Sequence, residues 1–321
     1  MVRTASALRD ADLETILDAV PCLANRPDRT LERITGGLTN VNVKVTFGEP
    51  GQRSVIARIA TDDSALLAID RTAEHANSVA AARSGAAPAV VCRSAEAGVL
   101  VVEWIEGRTF AAADVRDEAN LSRIAAACRL LHSGPRFVSD FDMFQVQRRY
   151  LQIVTERGFR LPDGYLELMP AFESIGRALA VRAGPTVPCH NDLLAENLID
   201  DGSRLWLIDF EYAGNNDAGF ELGNLASESG LTVAQLTELV RLYRGHPDPQ
   251  LVARARLLAL ASKYGWTLWG SIQDGVSTVD FDFWAWGLEK YERAVADFAS
   301  PDLGRLLEEV TSRSTIGSEG K

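Results

Sequence analysis

The sequence is poor in features that mark several common classes of protein. Its four cysteines, Cys22, Cys92, Cys128 and Cys189, lie far apart and form no CxxC pair. This spacing is unlike a disulfide framework or a zinc site, so we expect reduced thiols. No apolar run approaches the roughly 18 residues that span a bilayer, and the N-terminus lacks the apolar core of a signal peptide. We therefore expect a cytoplasmic protein without a membrane segment.

The sequence also lacks an excess of basic residues. Its 33 Lys and Arg stand against 44 Asp and Glu, which gives a formal net charge of −11. Because nucleic acids and anionic membranes carry negative charge, this balance opposes broad binding to either of them. It is compatible with a small cationic substrate. The 321 residues, 46% of them hydrophobic and 24% charged, suffice for about two domains with a buried core.

A small sheet with one prominent helix is predicted for the first part of the chain. Apolar residues at helical or alternating spacing indicate each element, and glycine and proline indicate the turns. The elements expected there are a helix over 6–19, a strand region over 31–47 broken at Gly36-Gly37, strands over 54–59 and 98–105, and a helix over 64–84.

Beyond residue 106 the pattern becomes mostly helical. One hairpin is predicted between residues 197 and 210, because Asp201 and Gly202 separate two apolar runs. The polar tail 311–321 is expected to be flexible. Helices are expected over 118–132, 143–157, 165–182 and from about 230 to 298. The boundary between the two parts is therefore predicted near residue 106.

Two carboxylates and an asparagine in the centre of the chain predict phosphoryl transfer. The segments are H-N-D-L-L-A-E-N at 190–197 and L-I-D-F-E-Y at 207–212. Their spacing is typical of the catalytic loop and metal-binding strand of protein-kinase-like phosphotransferases. Asp192 would accept the proton of the substrate hydroxyl, while Asn197 and Asp209 would bind the Mg²⁺ that bridges the nucleotide phosphates. Either aspartate alone would fit a helix cap or a turn, but the joint pattern favours catalysis.

The first part of the chain contains residues suited to a nucleotide. A turn at Gly36-Gly37 lets backbone amides approach phosphate oxygens, because glycine has no side chain to block them. Arg58 on the next strand would contact the phosphates and pair with Glu74 on the following helix. A plain hairpin and a surface ion pair are the alternatives for these groups. The predicted nucleotide-binding residues are Gly36, Gly37, Thr39, Asn40, Arg58, Glu74, Glu103 and Ile105.

Four of the six tryptophans lie within 21 residues, between Trp266 and Trp286. Trp266 and Trp269 are three residues apart on a predicted helix and share a face. A quaternary ammonium has no N–H to donate, so aromatic faces bind it, and nearby carboxylates add negative charge. Trp284 is expected to pack in the core, which is also the alternative for the other aromatics. The predicted substrate residues are Glu211, Glu228, Trp266, Trp269, Phe281 and Trp286.

These segments resemble the choline/ethanolamine kinase family, within the larger group that also contains the aminoglycoside phosphotransferases. The matching segments are GGLTN at 36–40, the Arg58 strand, Glu74, HNDLLAEN at 190–197, IDFEY at 208–212, GFELGNLASE at 219–228 and ASKYGWTLWGSIQ at 261–273. The resemblance implies ATP, Mg²⁺ and an amino-alcohol substrate. It also implies an α+β, two-lobed protein-kinase-like fold. Its expected parts are a nucleotide-binding N-lobe over 1–106, with a small antiparallel sheet and one main helix, and a mostly helical C-lobe over 107–310.

Two departures from the family pattern leave the acceptor open. Eukaryotic members have a tyrosine five residues after the glutamate that matches Glu228, and this chain has Val233 there. Glu221 replaces the more usual aspartate of F-D-x-G-N. The main hypothesis is therefore an ATP-dependent kinase for choline, with ethanolamine or an aminoglycoside as alternative acceptors. A nucleotide-binding pseudokinase is a further alternative, opposed by the retention of Asp192, Asn197 and Asp209.

Overall fold

A computed structural model of the chain describes residues 8–24, 26, 28–34, 37–48, 53–61 and 66–312. Gly36, the first residues of the helices predicted from 6 and from 64, and the tail from residue 313 lie outside the described residues. The other predicted site residues lie within them.

Five antiparallel strands are described in the smaller of two lobes, and they form one sheet in the order β1-β2-β3-β5-β4. The elements of this lobe are α1 Asp10–Asp18, β1 Thr30–Ile34, β2 Asn40–Phe47, β3 Arg53–Ala60, α2 Arg71–Ser84, β4 Val90–Ser94 and β5 Val99–Glu103. Strand β2 alternates, with Val43 and Val45 fully buried and Lys44 between them only partly so. Helix α2 begins at Arg71 because the Asp70 side chain accepts hydrogen bonds from two backbone amides of its first turn.

Helices form most of the larger lobe, and two short sheets complete it. Its helices are α3 Ala112–Arg116, α4 Glu118–His132, α5 Met143–Arg157, α6 Met169–Val181, α7 Ala218–Ser229, α8 Val233–Arg244, α9 Pro249–Val276, α10 Phe283–Phe298 and α11 Asp302–Thr311. Its strands are β6 Arg108–Thr109, β7 Val187–Cys189, β8 Leu198–Asp200, β9 Leu205–Leu207 and β10 Gly214–Asn216. Strands β8 and β9 form the predicted hairpin, and the turn at its tip contains Asp201. Strand β6 pairs with β8 on the other side. The predicted boundary at residue 106 falls between β5 and β6 and stays a prediction.

Helices α9 and α10 touch through glycine. A Cβ atom added at Gly270 would lie 2.9 Å from the Cα of Gly287 and 2.9 Å from the carbonyl oxygen of Phe283. Side chains larger than hydrogen therefore do not fit at this crossing. The close approach brings Trp269 and Trp286 together, with ring centroids 5.0 Å apart.

The prediction of reduced thiols is wrong for two of the four cysteines. Cys22, just after α1, and Cys92, in the edge strand β4, form a disulfide although 70 residues separate them in sequence. The fold brings the edge of the sheet against the segment that follows α1, a contact that cysteine spacing does not reveal. Cys128 and Cys189 are free and buried. In the described part of the chain, no helix has the length and apolarity that a membrane span requires.

Candidate active site

The loop after β7 carries Asp192 and is held in an unusual backbone conformation. Asn191 has a φ of 67°, in the left-handed region that asparagine tolerates better than most residues. Its amide nitrogen donates hydrogen bonds to the carbonyl oxygens of Cys189, Tyr212 and Gly214. His190 Nδ1 accepts a hydrogen bond from the Asp192 amide at 3.3 Å, and its Nε2 lies 2.6 Å from the carbonyl oxygen of Ile208. These contacts fix the loop that positions Asp192.

Glu221 supports the same loop from behind, a role that the sequence reasoning missed. Its two carboxylate oxygens accept hydrogen bonds from the backbone amides of His190 at 2.8 Å and Asn191 at 2.9 Å. His132 Nε2 lies 3.6 Å from the carboxylate. Burial alone would raise the pKa of Glu221, but hydrogen bonding and charge from His132, with help from His190, lower it below the usual value. The signal available in the sequence was an acid at the start of an otherwise apolar helix.

Asp192, Asn197 and Asp209 line one cavity of about 560 Å³, which we call the catalytic cavity. The Asn197 amide nitrogen donates to the Asp192 carbonyl oxygen at 2.8 Å, which leaves the carboxamide oxygen of Asn197 for a ligand. Burial, and then the negative charges of Glu211, Asp209 and Glu228, raise the pKa of Asp192 well above its ordinary value. The carboxylate is thus a stronger base than an exposed aspartate.

Arg58 contacts two carboxylates at the junction of the lobes. It forms an ion pair with Asp209, and its guanidinium also lies 3.3 Å from Glu74. Burial alone would raise the pKa of Asp209, but the charge and hydrogen bond of Arg58 lower it, so Asp209 stays ionised. Arg58 Nε is buried and has no hydrogen-bond partner among the described residues. A buried donor of this kind fits an anionic ligand such as a phosphate.

The oxygen donors of this region fit Mg²⁺. Asp209 offers an ionised carboxylate and Asn197 a carboxamide oxygen, both of which are ligands that this hard cation prefers. Both side chains line the same cavity as Asp192. A magnesium ion is therefore compatible with the residues that the sequence reasoning chose for it.

A second, mostly apolar cavity of about 180 Å³ lies between the sheet and the hairpin of the larger lobe. Glu103 and Ile105 line it, together with Val102, Ile199 and Ile208. Arg58 and Asp209 also line it. Because Asp209 lines the catalytic cavity as well, the two cavities adjoin. This arrangement suits a nucleotide whose base enters the apolar part and whose phosphates reach Arg58.

The turn before β2 contacts Glu211 through its side chains. Thr39 Oγ1 and the Asn40 amide donate to the two oxygens of Glu211 at 2.8 and 2.9 Å, and Arg71 lies 3.2 Å from it. Burial and the charge of Asp209 raise the pKa of Glu211 to about 7, against the opposing effect of Arg71. Glu211 lines the catalytic cavity, but its carboxylate oxygens already contact polar side chains of the smaller lobe. Gly37 also lines it, and an added Cβ there would lie 2.7 Å from the Asn40 carbonyl oxygen.

Aromatic side chains form one wall of the catalytic cavity. The residues involved are Tyr212, Trp266, Trp269, Phe281 and Trp286. Trp269 Nε1 donates to the Tyr212 hydroxyl at 2.9 Å, and the Tyr212 and Trp266 rings are 4.9 Å apart. The structure thus brings the four predicted aromatics together. The expectation that Trp284 packs in the core is wrong: it is half-buried and lies apart from the other aromatics, with its ring 3.8 Å from the guanidinium of Arg160.

Lys290 is a lining residue that the sequence reasoning missed. It forms an ion pair with Glu228, and its ammonium lies 4.1 Å from the centre of the Trp286 ring. Trp286 and Lys290 are four residues apart on α10 and share a face. That spacing was the available signal. The predicted substrate residue Glu228 is therefore already paired with a cation of the chain.

The two-lobed architecture, with Asp192, Asn197 and Asp209 in one cavity at the junction, defines a protein-kinase-like phosphotransferase. An aminoglycoside 2′-phosphotransferase bound to GDP shares the fold, with a TM-score of 0.64 at 15% identity over 93% of this chain and 100% of that one. More specifically, the chain belongs to the choline/ethanolamine kinase family, whose model matches residues 31–239. The predicted family, fold and class of enzyme, a phosphotransferase with an alcohol acceptor, are confirmed.

Two relatives illustrate the match. A solved choline/ethanolamine kinase family protein from Mesorhizobium loti has 31% identity and a TM-score of 0.80, over 94% of this chain and 98% of that one. Ethanolamine kinase 2 from Mus musculus is 26% identical over 292 residues, which cover 82% of this chain and 74% of the mouse protein. The similarity thus extends through both lobes.

Proposed function

We propose that this protein transfers the γ-phosphoryl group of ATP to the hydroxyl of a small amino alcohol. The observation that carries the proposal is the shared cavity, which joins Asp192, Asn197 and Asp209 to the aromatic wall and Glu228. A binding module needs no buried proton acceptor beside a cation site, so this combination argues against a pseudokinase. The family to which the chain belongs is also named after two amino alcohols, choline and ethanolamine.

Asp192 is the proton acceptor in the proposed reaction. Its raised pKa makes the carboxylate a better base for the acceptor hydroxyl, because a base is more effective as its pKa approaches the working pH. The loop contacts of Asn191 and Glu221 hold Asp192 in place while the hydroxyl binds. Positioning of this kind supplies much of the rate in phosphoryl transfer.

Asn197 and Asp209 are the proposed Mg²⁺ ligands. The ion, when bound, supplies positive charge to the phosphate oxygens. Arg58 contributes a second positive charge from the smaller lobe, and Glu74 orients its guanidinium. The proposed nucleotide site is completed by Gly37, Thr39, Asn40, Glu103 and Ile105. Thr39 and Asn40 contribute indirectly, by hydrogen bonds to Glu211.

Choline is the acceptor favoured by the sequence, and ethanolamine and an aminoglycoside are the alternatives. The test is ADP release by the purified protein with ATP and Mg²⁺, using choline, ethanolamine, N-methylated ethanolamines and one aminoglycoside as separate acceptors. We expect acceptor-dependent ADP release with at least one amino alcohol, and the phosphomonoester in the product by mass spectrometry. Folded protein that releases no ADP above background with any amino alcohol contradicts the proposal.

A further inference from the structure

Lys290 and Glu228 form a buried ion pair in the wall of the catalytic cavity. Their side chains are 5% and 11% exposed, and the Lys290 ammonium also lies over the Trp286 ring. An aromatic face next to a carboxylate is the arrangement that binds an organic ammonium ion. In this chain the protein's own ammonium fills that arrangement.

We propose that Lys290 sets the acceptor specificity by occupying the ammonium subsite formed by Glu228 and Trp286, so that the cavity accepts amino alcohols with N–H groups and disfavours quaternary ones. The inference rests on the proposed function, because it concerns the acceptor of that reaction. It reverses the preference for choline that the tryptophans alone suggested.

A quaternary ammonium would have to compete with Lys290. Lys290 repels any ammonium ion between Glu228 and the Trp286 ring, since the surroundings are largely buried and screen the repulsion poorly. A quaternary ammonium loses more than a primary one, because it depends on the aromatic face that Lys290 covers and has no N–H with which to bind a neighbouring oxygen instead. Displacement of Lys290 would leave its ammonium without the carboxylate that compensates its burial. Lys290 is also the only cationic side chain among the described residues that line the cavity, so the repulsion that a cationic acceptor meets there comes from this residue.

The remaining polar atoms of the subsite favour a ligand with N–H groups. Glu228 Oε1 and Ser229 Oγ are buried, belong to residues that line the same cavity, and have no hydrogen-bond partner within the described residues. A primary or secondary ammonium has N–H groups that oxygens of this kind accept from. Trimethylammonium has no N–H to donate and would leave them unsatisfied, which is unfavourable for buried polar atoms.

The other tryptophans offer little free surface to a quaternary ammonium. Trp266 packs against Tyr212, Tyr150 and Phe141, and Trp269 packs against Phe283 and Trp286. Both are at most 6% exposed. The face of Trp286 next to Glu228 therefore matters most for binding a quaternary cation, and Lys290 covers it.

The test compares the intact protein with Lys290→Ala, using tetramethylammonium as a binding probe and choline and ethanolamine as acceptors. Tryptophan fluorescence should report at least about tenfold tighter tetramethylammonium binding by the variant, the size expected when one cation–π interaction becomes available to the probe. The ratio of kcat/KM for choline to that for ethanolamine should rise by a similar factor. Lys263→Ala is the matched control, because Lys263 is also buried and paired, with Asp297, but lies outside this cavity.

Two results would overturn the inference. One is equal tetramethylammonium binding by the intact protein and Lys290→Ala, and the other is an unchanged ratio of kcat/KM for choline to that for ethanolamine in Lys290→Ala. If the alanine variant unfolds, Lys290→Met keeps the aliphatic chain and removes the charge, and tighter tetramethylammonium binding than in the intact protein is again expected because the repulsion is lost. Absence of phosphoryl transfer to every acceptor would instead contradict the proposed function. The binding probe still tests Lys290 in that case, because tetramethylammonium has no hydroxyl and is never phosphorylated.

Discussion

Arg58 of the sheet forms an ion pair with Asp209 of the larger lobe, across the junction that contains the candidate nucleotide site. The same guanidinium contacts Glu74 of α2, so one side chain joins a strand, a helix and the proposed metal ligand. Its Nε, which has no hydrogen-bond partner within the part of the chain that the structure describes, points to a further contact in the nucleotide complex. A nucleotide phosphate and the Asp209 carboxylate therefore compete for one buried positive charge.

Arg58→Gln should weaken ATP binding, because the phosphates lose a buried cation. We expect the apparent Kd of ATP to rise at least about tenfold, the usual size of a lost charge-assisted hydrogen bond. Isothermal titration calorimetry measures it. Arg53→Gln is the control, since Arg53 lies on the same strand but is about half exposed and pairs loosely with Glu103 at 3.9 Å. An equal effect of both substitutions would remove Arg58 from the nucleotide site.

Asp192→Asn should lower kcat about 10²- to 10⁴-fold, the range typical of a lost general base. The substitution preserves the shape of the side chain and the backbone contacts of the loop. Nucleotide affinity should therefore change little. Steady-state ADP release gives kcat, and nucleotide titration gives the affinity. A variant that retains most of its turnover would show that another group accepts the proton.

Glu221→Gln should destabilise the protein by about 1.5–3 kcal/mol at neutral pH, because one backbone amide loses a charged acceptor. The folded-state pKa of Glu221 is lowered from its ordinary value of 4.5, so its contribution is complete above that pH and declines as the pH falls below it. The difference from the intact protein should shrink in the same range. Urea unfolding at several pH values measures it, with the exposed Glu292→Gln as control. A difference that is independent of pH would contradict the charged role of Glu221.

Reduction of the Cys22–Cys92 disulfide should lower stability by about 2–4 kcal/mol, since the bond closes a long loop in the unfolded chain. Denaturant unfolding with and without dithiothreitol measures the change. The double variant Cys22→Ser/Cys92→Ser should match the reduced protein and should not respond to dithiothreitol. Equal stability of the oxidised and reduced protein would show that the bond contributes nothing.

Local sequence signals were sufficient for most of the longer helices, the hairpin and the catalytic motif, but they did not predict helices α3, α7 and α11. The Asp192 to Asn197 spacing lies within one loop, and Asp209 follows the next strand, so their convergence needs only a hairpin. Trp266 and Trp269 share a helical face for a similar reason. These residues could be chosen because the distances between them are short along the chain.

Contacts between distant segments could not be predicted in this way. Lys290 meets Glu228 only because α7 and α10 both pack against α9 in the folded lobe, and Thr39 meets Glu211 across 172 positions of sequence. The Cys22–Cys92 bond depends on the packing of the sheet edge. Such pairs follow from the complete fold, which single-sequence periodicity does not contain.

The contact of Gly270 with Gly287 limits how this enzyme can acquire new acceptors. The two helices already touch, so they cannot approach further, and separating them would open a gap in a packed core. Adaptation to a bulkier acceptor therefore has to exchange side chains of the cavity wall, such as Phe281, Trp286 and Lys290, while the helix spacing stays fixed. A laboratory evolution experiment that selects for larger amines should accumulate substitutions at that wall and retain both glycines.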